Sequence, residues 1–403
     1  MTTPGASERL SPTGPSRAEL LGRARDLAPI FRERAARCEQ ARRLIDENEK
    51  DLHDSGLFKF HQPARVGGFE LDFAMVVDVG AEIARGCVST AWNLCNFSSH
   101  HWMLGMFPPQ GQDDVWDAEP DALIASGLAF PSGRARRTDG GYMVSGAWGF
   151  SSGVDNATWN IVAAMVRGED DAPPEPRFFL LEKSQYEVID TWYAMGLAGT
   201  GSKDIKAEDV FVPAHRTLAL DDIKDGPTPG SAVNPGPLYR MASLSLFSYV
   251  LNGVLLGAAQ GAYDDYVGTT RDRVASYSGA RVGDFQSTHI KIAKAGAMID
   301  AAARLVRFNC EEAMEYAERD EIPDTETKYR YRRDGAHAAQ QCNEAVAMLF
   351  AATGAGGIYE RNAIQRTFRD SQAAIAHITL NFDVAGAAYG RAVLGLPPTG
   401  PAL

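Results

Sequence analysis

The sequence is poor in basic charge. Forty Lys and Arg stand against 52 Asp and Glu, a formal net charge of −12 over 403 residues. That sign repels nucleic acid and anionic membranes, and neither is expected as a partner. Cysteine is scarce and unpaired in pattern. Cys38, Cys87, Cys95, Cys310 and Cys342 are odd in number and form no CxxC. Such usage fits reduced thiols in a cytoplasmic protein, not a disulfide framework. There is no HExxH and no Cys/His cluster, and the adjacent His100-His101 would diverge on a helix, so no metal is expected. No run of about 18 apolar residues is apparent, which argues against a membrane-spanning helix. Met1 to Arg17 lacks the apolar stretch of a signal peptide, and 1–16 reads as a disordered lead-in. A nicotinamide fingerprint is also missing. Gly196-Leu197-Ala198-Gly199-Thr200-Gly201-Ser202 is GxxGxG outside any strand–loop–helix unit, and Gly354-Ala355-Gly356-Gly357 fails the pattern too.

What is present divides the chain by periodicity. With 45% hydrophobic and 23% charged residues, the composition is that of a soluble globular protein long enough for two or three domains. Residues 17–121 read as helical. Leu20, Leu21, Ala24, Leu27, Ile30 and Phe31 open one or two amphipathic helices, and a Pro63…Gly67-Gly68 turn precedes further helices. Residues 122–225 hold short apolar runs between Gly, Pro and Asp clusters, which predict a β domain, a small barrel or sandwich. Residues 226–403 begin with a linker. Four long periodic segments follow, Tyr239–Tyr277, Phe285–Arg319, Lys328–Ala352 and Asn362–Arg391, as expected of a four-helix bundle with an extended, proline-rich tail.

Three stretches carry candidate chemistry. Gly140-Gly141-Tyr142-Met143-Val144 reads as a turn feeding a strand, which runs into Trp148-Gly149-Phe150-Ser151-Ser152-Gly153. Two hydroxyls between an aromatic and a glycine can present O–H and backbone N–H groups to a flat polar ligand. On the helix predicted over Val88–Met106, Trp92, Asn96 and His100 fall at i, i+4 and i+8, on one face. A satisfied interior face or a subunit contact would explain them equally. On the last helix Asp370 and His377 lie seven apart on one stripe, flanked by Ala373 and Ala374, with Asn381 one turn on. By itself that stripe reads as a helix–helix contact.

The order helices, β domain, bundle, together with Pro63…Gly67-Gly68, Gly196…Ser202, Phe285-Gln286 and Arg366…Arg369-Asp370, resembles the acyl-CoA dehydrogenase fold, an α+β architecture. Within it, Ala91-Trp92…His100-His101-Trp102, Trp148…Gly153 and Ala376-His377-Ile378…Asn381-Phe382-Asp383…Tyr389-Gly390-Arg391 resemble the oxygenase components of two-component flavin-dependent aromatic monooxygenases, such as p-hydroxyphenylacetate 3-hydroxylase. Many acyl-CoA dehydrogenases take an α-proton with a glutamate in the last helical region. Here that region reads His377-Ile378-Thr379, with no Glu.

The resemblance implies that reduced FMN or FAD, delivered by a separate NAD(P)H:flavin reductase, binds and reacts with O₂ to form a C4a-hydroperoxyflavin that hydroxylates a phenolic ring, mono- or polycyclic. It implies Ser151 near the flavin N5, with Ser152, Gly199, Thr200 and, more weakly, Arg240 around the cofactor and Trp92 beside the isoalloxazine. It implies His100 as the base that takes the phenol proton, Ser126 near the substrate hydroxyl, Asn96 on the substrate face and His377 assisting the oxygen adduct. An imidazole titrates in the range that suits His100, and Asp370 is placed to orient His377. It further implies a homotetramer. Polar Asn93, Asn96, Ser98 and Ser99 and the extra His101 set this helix apart. Nitrogen- or sulfur-oxidising monooxygenases of the same fold, an FAD-dependent acyl-CoA dehydrogenase, and a non-catalytic flavin-binding scaffold are the alternatives.

Overall fold

The structure is a computed structural model that describes residues 14–168, 172–276 and 278–397. The expected lead-in lies almost wholly outside the described residues, as does the end of the tail.

The first helix starts at a reciprocal cap. The Glu19 N–H donates to Ser16 Oγ, and the Ser16 N–H donates to the Glu19 carboxylate. From there α1 runs Arg17–Ala41 and stops where Arg42 turns left-handed at φ 52°. α2 (Asp46–Asp54), α3 (Met75–Ala84), α4 (Val88–Leu104) and α5 (Pro109–Trp116) complete the N-terminal helices. Every residue of α4 except Asn96 is buried, so its polar side chains must find partners inside the protein. His101 sets its ring nitrogens 3.0 Å from Phe58 O and 2.8 Å from Ala122 O, and its one N–H donates to one of these carbonyls.

The strands are β1 (Ile124–Gly127), β2 (Gly133–Thr138), β3 (Gly141–Ser151), β4 (Trp159–Val166), β5 (Glu175–Glu182), β6 (Glu187–Ile189), β7 (Lys203–Pro213) and β8 (Thr217–Ala219). They form one mixed eight-stranded sheet in the order β6-β7-β3-β2-β4-β5-β8, with β1 added parallel to β4. β1 thereby sets Ser126 opposite Ile161, at the edge that faces α4.

α6 (Phe247–Thr270), α7 (Gln286–Glu318) and α8 (Thr325–Ala352) follow. α6 crosses α3 closely because Gly253 and Gly257 lack side chains. A Cβ there would stand 2.4 Å from Val77 O and 2.1 Å from Ala81 O. The segment Ser243–Thr270 holds an 18-residue window of mean hydropathy 1.3, long and apolar enough by composition to cross a membrane. It is instead a core helix, 83% buried within the protein.

The fourth predicted bundle helix is two. α9 (Ala363–Ile375) and α10 (Phe382–Val393) are separated by a short turn. Local bonds compete with the helix there. The His377 ring accepts the Thr379 N–H at 3.3 Å, and Asn381 Oδ1 accepts the Val384 N–H at 3.2 Å to cap α10.

Candidate active site

A cavity of about 700 Å³ opens between α4, β1, the end of β3, the glycine loop, α6, α8 and the α9–α10 break. That size suits a flat cofactor with a small ligand. It gathers Trp92, Asn96, His100, Ser126, Ser152 and His377 from the sequence-predicted set. Ser151, Gly199, Thr200 and Arg240 do not line it.

The divergence of the two serines is a matter of backbone. Trp148 fills a slot between Gly127, Gly133 and Gly146, where an added Cβ would lie 2.6 Å from its side chain each time, and its Nε1–H donates to Ala163 O at 2.7 Å. The register of β3 against β7 slips between Trp148 and Ser151, and Phe150 is left-handed at φ 63°. This bulge places two residues between successive inward side chains instead of one. Ser151 therefore points inward, fully buried, and accepts from Asn160 Nδ2 at 2.8 Å. Ser152 is the hydroxyl that reaches the cavity, with Gly149 and Phe150 beside it. Arg240 is directed to Asp320.

Ser152 ends a chain of hydroxyls whose direction is set by a carbonyl. Thr200 Oγ1 donates to Leu197 O at 2.7 Å, because a carbonyl can only accept. Ser202 must then donate to Thr200 at 2.6 Å, and Ser152 to Ser202 at 2.8 Å. Ser152 also accepts from Trp92 Nε1 at 3.1 Å. One lone pair of Ser152 Oγ is left, and it suits a ligand N–H. Gly199 and Thr200 thus stand behind the wall. Gly199 packs against Cys38 and Ser89, where a Cβ would meet atoms at 3.0–3.1 Å.

The two cavity histidines carry opposite tautomers. His100 Nδ1 lies 2.6 Å from Ile124 O and must hold the proton to donate to it, which leaves Nε2 a lone pair. Burial pulls His100 down to about 4, so it is neutral near pH 7 and does not titrate in the ordinary imidazole range expected from the sequence. His377 Nδ1 accepts the Thr379 N–H, so its neutral ring carries the proton on Nε2. His377 has accessible surface, yet it is ringed by enough protein that burial pulls it to about 4 as well. Its ring meets Trp92 edge-on, centroids 5.9 Å apart. One imidazole thus offers an acceptor and the other a donor.

Asp370 does not orient His377. The helix ends between them, and Asp370 Oδ1 instead accepts the Leu197 N–H at 2.6 Å, holding the glycine loop at its left-handed residue (φ 54°). Burial raises its carboxyl to about 6.

Sequence reasoning missed Arg332, Ser248 and Trp192 on the cavity wall. Ser202 was visible only as the end of the glycine loop. Arg332 sits in a Tyr-Arg-Tyr-Arg-Arg-Asp run whose pattern does not distinguish one arginine from another.

Fold and cavity together define a flavoprotein-like site on an acyl-CoA dehydrogenase scaffold with no carboxylate on its wall among the described residues. Residues 249–382 match the acyl-CoA dehydrogenase, C-terminal domain. The chain is 36% identical to the FADH(2)-dependent resorcinol hydroxylase, oxygenase component, of Rhizobium sp. (strain MTP-10005), across 94% of this chain and 95% of that one. It is similar in structure to 3-HSA hydroxylase from Rhodococcus sp. RHA1, with a TM-score of 0.91 and 33% identity, covering 96% and 99% of the two chains. It is similar also to XiaF from Streptomyces sp., solved in complex with FADH2 and glycerol, with a TM-score of 0.89 and 28% identity over 96% and 98%. The chain belongs to the family of flavin-dependent monooxygenase oxygenase components.

Proposed function

We propose that this chain is the oxygenase component of a two-component system that uses reduced FMN or FAD and O₂ to hydroxylate a phenolic substrate, mono- or polycyclic. The observation that carries this reading is His100. Its Nδ1–H is committed to Ile124 O, and its free Nε2 lone pair belongs to a cavity with no carboxylate among the described lining residues. A lone pair so placed accepts a hydrogen bond from a phenol O–H, which draws the proton away and enriches the ring carbon next to the oxygen. Ser126, on the same wall and without a described partner, suits the same hydroxyl, and Asn96 borders it. The missing carboxylate argues against removal of an α-proton from a thioester. A scaffold without chemistry would leave the two opposed imidazoles without purpose.

The residues present fit a reduced flavin. Trp92 offers an indole, Ser152 a hydroxyl oriented to accept, and Ser202 and His377 further polar contacts. When bound, the flavin supplies the two electrons that let one atom of O₂ enter the ring and the other leave as water. Ser152 would hold an N–H of the cofactor through its remaining lone pair. Thr200 and Gly199 fix the relay behind it, and Ser151 anchors the strand end. His377 Nε2–H is a proton donor on the wall, and the aromatic lining keeps water away. The lack of a nicotinamide fingerprint supports a separate NAD(P)H:flavin reductase. Free cysteines support a cytoplasmic setting. The element order supports a helical domain over 17–121, a β domain over 122–225 and a bundle from 226; assembly as a homotetramer is proposed on the family resemblance alone.

The test is His100→Ala and His100→Gln assayed on a panel of phenols with reduced flavin. The ratio of hydroxylated product to H₂O₂ should fall about 100-fold or more while O₂ is still consumed. An unchanged ratio would remove His100 from the chemistry and favour nitrogen or sulfur oxidation, which needs no such base.

A further inference from the structure

Behind the glycine loop, away from the cavity lining, three helices bring two thiols together. Cys38 lies in the last turn of α1, and Cys87 is the cap residue at the start of α4. Thr90, in the first turn of α4, donates to Cys87 Sγ at 3.2 Å and stands 4.0 Å from Cys38 Sγ. Asn48, from α2, donates to Cys38 Sγ at 3.3 Å and to Thr90 Oγ1 at 3.0 Å. Both thiols are free and buried. Cys87 makes no side-chain cap bond, so the positive end of the α4 dipole is left to act on the pair. A hydrogen bond from Cys87 pulls the Cys38 thiol down to about 7 and raises Cys87 in turn, whereas burial raises Cys95, Cys310 and Cys342. The pair also seats the cofactor wall. Gly199 sits between Cys38 and Ser89, where a Cβ would meet their atoms at 3.0–3.1 Å, and Asn93 Nδ2 donates to Gly199 O at 3.4 Å. Thr200, the next residue, orients the relay through Ser202 to Ser152.

We propose that Cys38 and Cys87 are a peroxide-sensing dithiol that closes to a disulfide, displaces the glycine loop and weakens the hold on reduced flavin. The oxidant is H₂O₂, which reduced flavin and O₂ give when no substrate is oxidised. The Cys38 thiolate attacks one peroxide oxygen, the O–O bond breaks, and the other oxygen leaves as hydroxide and takes a proton to become water. Cys87 then attacks the sulfenic sulfur, the S–S bond forms, the S–O bond breaks and a second water leaves. Two thiols and one H₂O₂ give one disulfide and two waters, with two electrons passing from sulfur to oxygen. A helix end opens more readily than its middle, and the place of Cys38 in the last turn of α1 gives so small an oxidant its entry. Bonding the sulfurs draws the end of α1 onto the start of α4 and narrows the slot between Cys38 and Ser89. Gly199 has no room to spare there, so the loop must shift. The effect on flavin rests on reading the Ser152 and Ser202 wall as the cofactor's.

The experiment takes the reduced, flavin-free full chain with and without excess H₂O₂, removes the peroxide, and splits each sample. One half is unfolded, its free thiols are capped, and its tryptic peptides are read by mass spectrometry. The other half is titrated anaerobically with reduced FMN or FAD. Peroxide should link Cys38 to Cys87 and leave Cys95, Cys310 and Cys342 open to capping. Reduced-flavin affinity should fall about 10-fold or more. Dithiothreitol should reverse both changes. Cys87→Ser should keep its flavin affinity through the same treatment. No Cys38–Cys87 link in the wild-type chain overturns the proposal, and that result stands even if Cys87→Ser does not fold. A link with unchanged flavin affinity, or an equal loss of affinity in Cys87→Ser, also overturns it. A wild-type chain that forms the link yet binds no reduced flavin before treatment would sink the flavin reading and leave the dithiol standing.

Discussion

Ser151 and Ser152 show how much a single residue's position decides. Their adjacency was legible in the sequence, and so was their place beside a strand end. Which one faces the cavity was not, because strict alternation fails at the bulge where Phe150 takes φ 63°. The two serines should therefore separate on mutation. Ser151→Ala removes the acceptor of Asn160 Nδ2 and should lower stability by about 1–2 kcal/mol in urea unfolding, with product yield per O₂ unchanged. Ser152→Ala removes the acceptor of Trp92 Nε1–H and the oriented hydroxyl, and should divert O₂ to H₂O₂ with little change in the urea midpoint. The opposite pattern would return the cofactor role to Ser151. The i, i+4, i+8 face of α4 was fully legible, because a regular helix carries Trp92, Asn96 and His100 to one side. The protonation state of His100 was not, since it depends on burial and on Ile124 O, which comes from a different element.

At the scale of elements, the helices and strands followed from periodicity, and the main miss was the last helix. Helical spacing continued through Ala376–Asn381, but His377 and Asn381 capped their own turns there. That break took Asp370 off the His377 stripe and gave it to the glycine loop. The consequence can be measured. Asp370 carries a carboxyl raised from the ordinary 3.8 to about 6. Because the folded pKa exceeds the unfolded one, its favourable contribution is fully present below about pH 4 and is lost as pH rises through 6. Asp370→Asn keeps an oxygen for the Leu197 N–H and removes the ionisation. It should match the wild-type chain near pH 4 and exceed it by up to about 3 kcal/mol at pH 8 in urea unfolding. A variant equally stable or weaker at pH 8 would mean that the ionised carboxylate holds the loop.

At the scale of the whole molecule, three elements distant in sequence converge on one cavity: α4 with Trp92 and His100, the β3 end with Ser152, and the α9–α10 break with His377. Family motifs made those three stretches legible. Arg332 and Ser248 were not, because an unpaired guanidinium is recognised only when its neighbours are in view. The central claim is that this assembly controls how reduced flavin meets O₂. The most direct test mixes the anaerobic protein, carrying one equivalent of reduced FMN or FAD, with oxygenated buffer and a phenol, and follows the flavin spectrum by stopped flow. The account predicts a flavin spectrum neither reduced nor oxidised that persists before oxidised flavin appears, with H₂O₂ well below one equivalent. Direct passage from reduced to oxidised flavin, with one H₂O₂ released for each flavin as happens free in solution, would contradict it.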